Sequence, residues 1–292
     1  MPDLLLDLCR QYADTHANQF GITTTPVQGL TIVRSLHLGE LQAAVSKPLI
    51  AMLLQGRKRV TTNLGSFDYG PGEALVITAD IPTISQITQA SISAPYYSLV
   101  LELNFSILRE LQIASSGEQN NAASVGINQI DNNVADAASR LVRLFEQQNA
   151  LTILENGLVR ELHYWLLQSE HRSSIRALAI TGSSAERVSR AVAILRKNFM
   201  QSIRISELAS VAGMSESVFH KHFRAFTTLS PLQFQKQLRL IHARTMILAE
   251  GGNISQNAYK VGYASVPQFT REYTRMFNIS PGRDIRKNKD RT

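Results

Sequence analysis

The chain has 292 residues, of which 44% are hydrophobic and 18% are charged, and this is the composition of an ordinary globular protein. It contains no apolar run approaching the roughly 18 residues of a membrane span, and its first residues lack the basic start of a signal peptide. Its single cysteine, Cys9, excludes an internal disulfide framework and is typical of a reducing compartment. We therefore predict a cytoplasmic protein.

The net charge of +7 is unevenly distributed along the chain. Residues 186–292 contain 18 Lys and Arg against 7 Asp and Glu, whereas residues 1–185 contain 12 against 16. A basic segment joined to a weakly acidic one is typical of a nucleic-acid-binding module attached to a regulatory module.

The N-terminal half combines an amphipathic helix with many short strands. The helix is predicted at 3–17, where Leu4, Leu5, Leu8 and Tyr12 share one side. Short β-prone runs follow, separated by glycine, proline and asparagine turn signals. The predicted strands are residues 31–33, 49–54, 59–62, 74–77, 84–87 and 96–103. Strands at this spacing favour a small sandwich or barrel.

The middle of the chain is polar and then helical. A helix begins at 107–112, and residues 114–130, rich in Ser, Asn, Gln and Gly, are interpreted as a mobile connection. Helices are predicted at 132–148 and 152–170. On the second, an apolar stripe recurs at helical spacing and fits either a core or a dimer interface. The stripe consists of Leu158, Leu162, Trp165 and Leu166.

The last hundred residues contain one pattern twice. Each copy predicts a short helix, a glycine turn at Gly213 or Gly262, and a second helix opened by Ser215 or Ser265. A helix-turn-helix of this kind is a DNA-reading unit. A single copy would be weak evidence, but two in tandem with matching apolar and polar positions are a specific signal.

The second helix of each unit has one face for packing and one for DNA. The apolar residues at helical spacing are Phe219, Phe223 and Phe226 in the first unit and Phe269, Tyr273 and Phe277 in the second. The outward residues are Ser217, His220, Lys221 and Arg224 in the first and Pro267, Thr270, Arg271 and Thr274 in the second. Lys221 and Arg271 occupy equivalent positions in the two units, and both can donate hydrogen bonds to guanine O6 and N7. The alternative is that they contact phosphate only, which would carry no sequence information.

A long helix is predicted between the units, from Pro231 to Glu250. Twenty residues span roughly 30 Å, close to one turn of B-DNA at ~34 Å. This helix could therefore place both reading helices in successive major grooves.

The tandem units, the connecting helix and the closing Ser230-Pro231 and Ser280-Pro281 resemble the AraC/XylS family of bacterial transcription regulators, over about residues 187–286. This resemblance implies a cytoplasmic, sequence-specific DNA-binding regulator. The base-contacting positions that it implies are Ser217, His220 and Lys221 in the first unit and Val266, Gln268, Thr270 and Arg271 in the second. The chain departs from the usual pattern at His220 and Val266.

The N-terminal half also resembles the cupin-like domain of one branch of this family. The resemblance is carried by residues 53–60, 69–72 and 81–86. It implies a β-barrel that senses a small molecule. The predicted fold class is therefore α+β, with a small cupin-like β-barrel and flanking helices, followed by an all-α domain of two helix-turn-helix units joined by a long helix. We assign effector sensing to 1–130, dimerisation and connection to 131–184, and DNA binding to 185–292, with Thr181-Gly-Ser-Ser184 as linker.

The predicted barrel lacks the residues of an enzyme or a metal site. Cupin metal sites use two or three histidines, but His37 is the only histidine in 29–112, so we expect no metal and no cofactor. No nucleophile elbow or phosphate loop is present, and we expect no catalytic residue. The barrel either binds a small ligand or is filled by its own side chains.

The expected partners are double-stranded DNA, a second copy of the chain, RNA polymerase and an unidentified small-molecule effector. Two other classes of protein could use a basic C-terminal domain. An architectural DNA binder would need no sequence preference, and two complete reading faces exceed that need. A catalytic barrel fused to a DNA-binding domain would need a reactive cysteine, but the only cysteine is Cys9.

Overall fold

The computed structural model describes residues 2–18, 20–112, 124–180, 182–250 and 253–289. The chain divides into two compact units, residues 1–186 and 187–292. Sheets and helices form the first unit, and the described part of the second is helical. The predicted α+β fold class is confirmed.

Ten strands lie in the described part of the first unit and form two antiparallel sheets. They are β1 Ile22–Thr24, β2 Leu30–Ser35, β3 Gln42–Ser46, β4 Leu49–Gln55, β5 Arg57–Thr62, β6 Gly65–Tyr69, β7 Glu73–Ile77, β8 Ile81–Gln89, β9 Tyr96–Glu102 and β10 Val125–Gln129. One sheet has the order β1-β2-β9-β4-β7-β10 and the other β3-β8-β5-β6. The predicted barrel is thus a pair of cupin-like sheets that are not closed, because no ladder among the described strands joins their edges.

Strand β4 explains how the six-stranded sheet is packed on both faces. Ile50, Met52 and Leu54 belong to a core shared with the helices of the first unit. Ala51 and Leu53 belong to a second core, which contains residues from both sheets. A strand that is buried on both faces must be apolar throughout, and this is why β4 has an uninterrupted hydrophobic sequence.

Strand β10 corrects the interpretation of residues 114–130 as a connection. Residues 125–129 pair antiparallel with β7, from Val125 opposite Ile77 to Gln129 opposite Glu73. The strand lies at the edge of the sheet, where only alternate residues face the core, so its apolar signal is reduced to Val125 and Ile127. Residues 114–123 of the predicted connection lie outside the described residues.

The helices of the first unit cover the outer face of the six-stranded sheet. They are α1 Pro2–His16, α2 Phe105–Gln112, α3 Asn132–Val142, α4 Gln148–Gln168 and α5 Arg172–Ala179. Asp131 caps α3, since its side chain accepts a hydrogen bond from the Asn133 amide at 2.8 Å. Cys9 lies fully buried in this core, and burial raises the pKa of its thiol to about 12.

The predicted helix at 132–148 is shorter in the structure. It ends at Val142, because the Leu144 and Phe145 amides bond to carbonyls three residues back and tighten the last turn. Helix α4 then begins at Gln148 instead of residue 152. The stripe on α4 is part of the core: Leu162 and Leu166 are fully buried, and Leu158 and Trp165 pack against the same cluster.

The second unit consists of helices with short turns. They are α6 Ser184–Asn198, which begins just before the boundary, α7 Ile205–Val211, α8 Glu216–Thr227, α9 Pro231–Glu250, α10 Ile254–Lys260, α11 Val266–Phe277 and α12 Pro281–Lys289. The connecting helix predicted from Pro231 to Glu250 is α9, and its 20 residues span about 30 Å. Both predicted helix-turn-helix units are present as α7–α8 and α10–α11.

Candidate nucleic-acid interface

The first helix-turn-helix unit turns at a glycine, as predicted. Gly213 has φ of +60°, in the left-handed region that glycine adopts at low cost. The guanidinium of Arg187, on α6, donates from Nε to the Ala212 carbonyl at 2.6 Å and from Nη2 to the Gly213 carbonyl. Ser215 occupies the N-cap position of α8, as predicted, although its side chain makes no capping hydrogen bond.

The second unit repeats this construction with different capping. Gly262 has φ of +92°, and the Ser265 hydroxyl accepts a hydrogen bond from the Gln268 amide at 3.4 Å. Arg239 on α9 binds this turn as Arg187 binds the first, and its Nη1 donates to the Gly262 carbonyl at 2.8 Å. Its Nε also donates to the Phe199 carbonyl at 2.8 Å, which ties α9 to the end of α6.

The inner faces of α8 and α11 are aromatic, as the spacing predicts. Phe219 and Phe223 are fully buried in the first unit, and Phe269 and Tyr273 are fully buried in the second. Neighbouring rings lie close to one another, with Phe219 and Phe223 5.3 Å apart and Phe269 and Tyr273 5.5 Å apart between centroids. Packing of these rings fixes the rotation of each helix, and so determines which side chains face outward.

The opposite faces of the two helices carry the predicted site residues. Ser217, His220, Lys221 and Arg224 are exposed on α8. On α11, Arg271 is exposed, whereas Val266, Gln268 and Thr270 are half-buried. Lys221 and Arg271 form no hydrogen bond or ion pair with any described residue, so their charges are available to a ligand.

One candidate residue of the second unit is held by a network that the sequence did not reveal. Glu272 accepts hydrogen bonds from Gln268 Nε2 at 3.1 Å, Lys236 Nζ at 2.8 Å and Tyr263 Oη at 2.7 Å. Burial of Glu272 opposes ionisation, but these three donors together hold the pKa of its carboxyl below the ordinary value. The ionised Glu272 thus fixes the Gln268 amide group, with the amide nitrogen turned toward the carboxylate.

A buried ion pair joins α11 to its two neighbouring helices. Arg244 on α9 donates from Nε to Asp284 on α12 at 2.8 Å, and the Tyr273 hydroxyl donates to the same carboxylate at 2.7 Å. The guanidinium also lies over the Phe277 ring, 4.9 Å from its centroid. Sequence periodicity could not reveal this cluster, because its three polar members come from three different helices.

Two matches with known families cover most of the chain. Residues 26–174 match the family described as AraC-type transcriptional regulator N-terminus, and residues 208–287 match a helix-turn-helix domain. The chain belongs to the AraC-type transcriptional regulator family. The resemblance inferred from the tandem units is confirmed.

This AraC-type chain is similar to curated and structurally characterised proteins. It is 27% identical over 162 residues to the HTH-type transcriptional activator RhaS of Escherichia coli, an alignment that covers 55% of this chain and 57% of RhaS. Its fold is similar to that of ToxT from Vibrio cholerae. A ligand-free ToxT variant matches with a TM-score of 0.57 and 11% identity, over 90% of this chain and 98% of ToxT. ToxT with bound unsaturated fatty acid gives 0.56 and 11%, over 88% and 93%.

Two other kinds of site are absent from the described ranges. Within them, no helix is both long and apolar enough for a membrane span. The same residues contain no group of three or more His, Cys, Asp or Glu side chains arranged to hold a metal ion.

Proposed function

We propose that this AraC-type protein is a sequence-specific DNA-binding transcription regulator, controlled by a small molecule that binds its N-terminal unit. One observation supports this most: two helix-turn-helix units in one compact body each expose a polar, cationic face. The first presents exposed Ser217, His220, Lys221 and Arg224, and the second presents exposed Arg271 beside half-buried Val266, Gln268 and Thr270. Lys221 and Arg271 suit bidentate contacts to guanine, and the shorter side chains suit other base edges and phosphates.

The relatives support the same reading. RhaS is named a transcriptional activator, which favours contact with RNA polymerase in addition to DNA. ToxT has been crystallised with a bound unsaturated fatty acid, which favours small-molecule control through a cupin-like unit. Regulation by binding requires no catalytic chemistry, so we propose that the protein is not an enzyme and needs no cofactor. We also propose that it acts in the cytoplasm, where a regulator of this type meets DNA.

Selection of genomic fragments with the purified full-length protein tests this function. A regulator is expected to recover a defined sequence and to protect it in a footprint. The affinity should fall steeply with salt, because each neutralised phosphate releases counterions. A featureless footprint would indicate an architectural DNA binder instead, and an affinity that does not change between low and moderate salt would contradict groove binding by the basic faces.

We also propose that the protein is a homodimer through the described part of its first unit. The Leu158 stripe belongs to the core, so a dimer contact made by α4 would use its exposed residues. Ile153, Leu154 and Tyr164 are exposed on that helix at 80%, 49% and 44%. Large apolar side chains grouped on a helix favour a protein contact. Sedimentation should show a dimer at micromolar concentration, and Ile153→Glu should shift it to monomer; a wild-type monomer with and without DNA would contradict the proposal.

A further inference from the structure

A lysine faces the space between the two sheets of the first unit. Val60 in β5 is buried in the core between the sheets, and Lys58, two residues before it, lies on the same face of the strand. Its ladder partners are Tyr69 in β6 and Ile87 in β8, and both belong to that core. Arg57 and Arg59, which alternate with it, are exposed on the outer face. Lys58 is therefore the inward-facing cation of a strand whose other cations face solvent.

This lysine has no counterion in the described part of the chain. It forms no salt bridge and no hydrogen bond there. The protein surrounds the ammonium, and this desolvation lowers the pKa of Lys58 to about 8. The side chain nevertheless keeps part of its accessible surface.

Two hydroxyls on the facing sheet also lack hydrogen-bond partners among the described residues. Tyr96 and Ser98 in β9 are 0% and 1% exposed, and neither side-chain oxygen has a hydrogen-bond partner among the described residues. Burial raises the pKa of Tyr96, and the neighbouring hydroxyls of Ser98 and Tyr69 oppose that shift. Tyr69 therefore connects the two walls: it lies opposite Lys58 in the ladder, and its hydroxyl neighbours that of Tyr96.

The surroundings of these polar groups are apolar. Ser98 lies between Val33 and Leu53 on the inner face of the six-stranded sheet. Val33 in β2 and Val100 in the neighbouring strand β9 pack against the same core, and both are half-buried. Buried polar groups normally have partners, because an unpaired one costs about 1–3 kcal/mol. An unpaired ammonium and two unpaired hydroxyls in one apolar space indicate that a ligand supplies the missing acceptors.

We propose that the space lined by Lys58, Tyr69, Tyr96 and Ser98 binds a small organic carboxylate with an apolar body. The carboxylate would accept from the Lys58 ammonium and from the Tyr96 and Ser98 hydroxyls. The apolar body would lie against Val33, Leu53 and Val100. A neutral ligand would leave the ammonium without a counterion, whereas a multiply charged anion would exceed one lysine. This inference rests on the proposed function, since it specifies the chemical class of the effector.

Binding of straight-chain carboxylates to the full-length protein tests the site. Isothermal titration would compare the series from butyrate to octanoate with the matching alcohols. The carboxylate is expected to bind about tenfold or more tightly than its alcohol, because a hydrogen bond to a charged group is stronger than a neutral one. Lys58→Met should abolish that preference, and Tyr96→Phe should reduce carboxylate affinity while leaving the ligand-free melting temperature unchanged or higher.

The matched control is Arg59→Met, which removes a cation from the outer face of the same strand and should keep the wild-type preference. The inference is wrong if no carboxylate binds more tightly than its alcohol, or if Lys58→Met and wild type bind carboxylates equally. Genomic selection with the wild type separates the two proposals. A defined DNA site without carboxylate binding contradicts this inference alone, and the absence of any defined DNA site contradicts the proposed regulator.

Discussion

The two helix-turn-helix units have the same backbone plan but different interiors. In each, an arginine from the preceding long helix binds the glycine turn, Arg187 at Gly213 and Arg239 at Gly262. Val192 follows Arg187 at the same spacing at which Arg244 follows Arg239, and Phe234 follows Pro231 as Asp284 follows Pro281. The buried Arg244 and Asp284 of the second unit therefore correspond to Val192 and Phe234 of the first. Val192 is 1% exposed, and Phe234 packs edge-on against Phe223 at 5.6 Å.

The difference shows that one fold accepts either an apolar or an ionic contact at the same place. Apolar residues stabilise by removal from water and tolerate moderate changes. The ionic cluster must offset the desolvation of two charges, so it depends on all of its members at once. The second unit should therefore be the more sensitive of the two to single substitutions and to acid.

The largest expected effect is the loss of one member of the ion pair. Arg244→Val leaves Asp284 buried without its counterion and should cost about 3–5 kcal/mol of unfolding free energy. Adding Asp284→Phe and Tyr273→Phe installs the residues of the first unit and should recover most of that loss. Urea unfolding, with amide hydrogen exchange in α11, measures both variants. If Arg244→Val left the free energy of unfolding unchanged, the cluster would contribute no stability.

Acid should affect the second unit through the same cluster. Burial of Asp284 opposes ionisation, but hydrogen bonds from Arg244 and Tyr273 hold its pKa below the ordinary value of 3.8. A depressed carboxyl pKa stabilises the fold above the unfolded pKa, and this contribution is lost as the pH falls toward the folded pKa. Hydrogen exchange below pH 3.8 should therefore show α11 losing protection before α8 does. Equal loss in both helices would contradict this.

A smaller effect is expected from the exposed cations at equivalent positions. Lys221→Ala should relax sequence preference at one end of the DNA site, and Arg271→Ala at the other, about one helical turn apart. Each lost bidentate contact should cost ~1–3 kcal/mol at the preferred base. Binding to a library of single-base-substituted sites measures this. If both variants weaken every site by a common factor, the two residues contact the DNA backbone only.

The Glu272 network offers a finer contrast between the units. Glu272→Ala releases Gln268 and should reduce discrimination at one base pair of the second half-site by about 0.5–1.5 kcal/mol, the range of one hydrogen bond. His222 occupies the corresponding position of α8 and is only half-buried. His222→Ala is therefore the matched control and should leave base preference unchanged. Equal effects of the two substitutions on the same site library would show that Glu272 does not position Gln268.

The smallest effect is expected at the exposed end of α12. Arg286→Ala and Lys287→Ala should lower affinity for all sequences about equally, because contacts to phosphate carry no base information. Each should also reduce the slope of log affinity against log salt by about 1. A change in base preference would place these side chains in a groove.

The sequence determined the features that repeat. The tandem pattern predicted both helix-turn-helix units and α9, since helical spacing specifies one buried face and glycine specifies each turn. Most strands of the first unit were also predicted, because β4, β7 and β9 are buried and β-prone. The edge strands β1, β3, β6 and β10 were not predicted, since only alternate residues of an edge strand face a core and their apolar pattern is weaker.

Only the tertiary structure decided which polar residues meet. Arg244 and Asp284 are isolated in the sequence, and each by itself is typical of a helix surface, while periodicity predicted Tyr273 only as a packing residue. Lys58 lies in a strand of three consecutive basic residues, and strand alternation turns it inward only once the strand has a core to face. The α4 stripe was ambiguous for the same reason. Periodicity shows that a face is buried, but its partner is chosen by long-range packing, which local pattern does not encode.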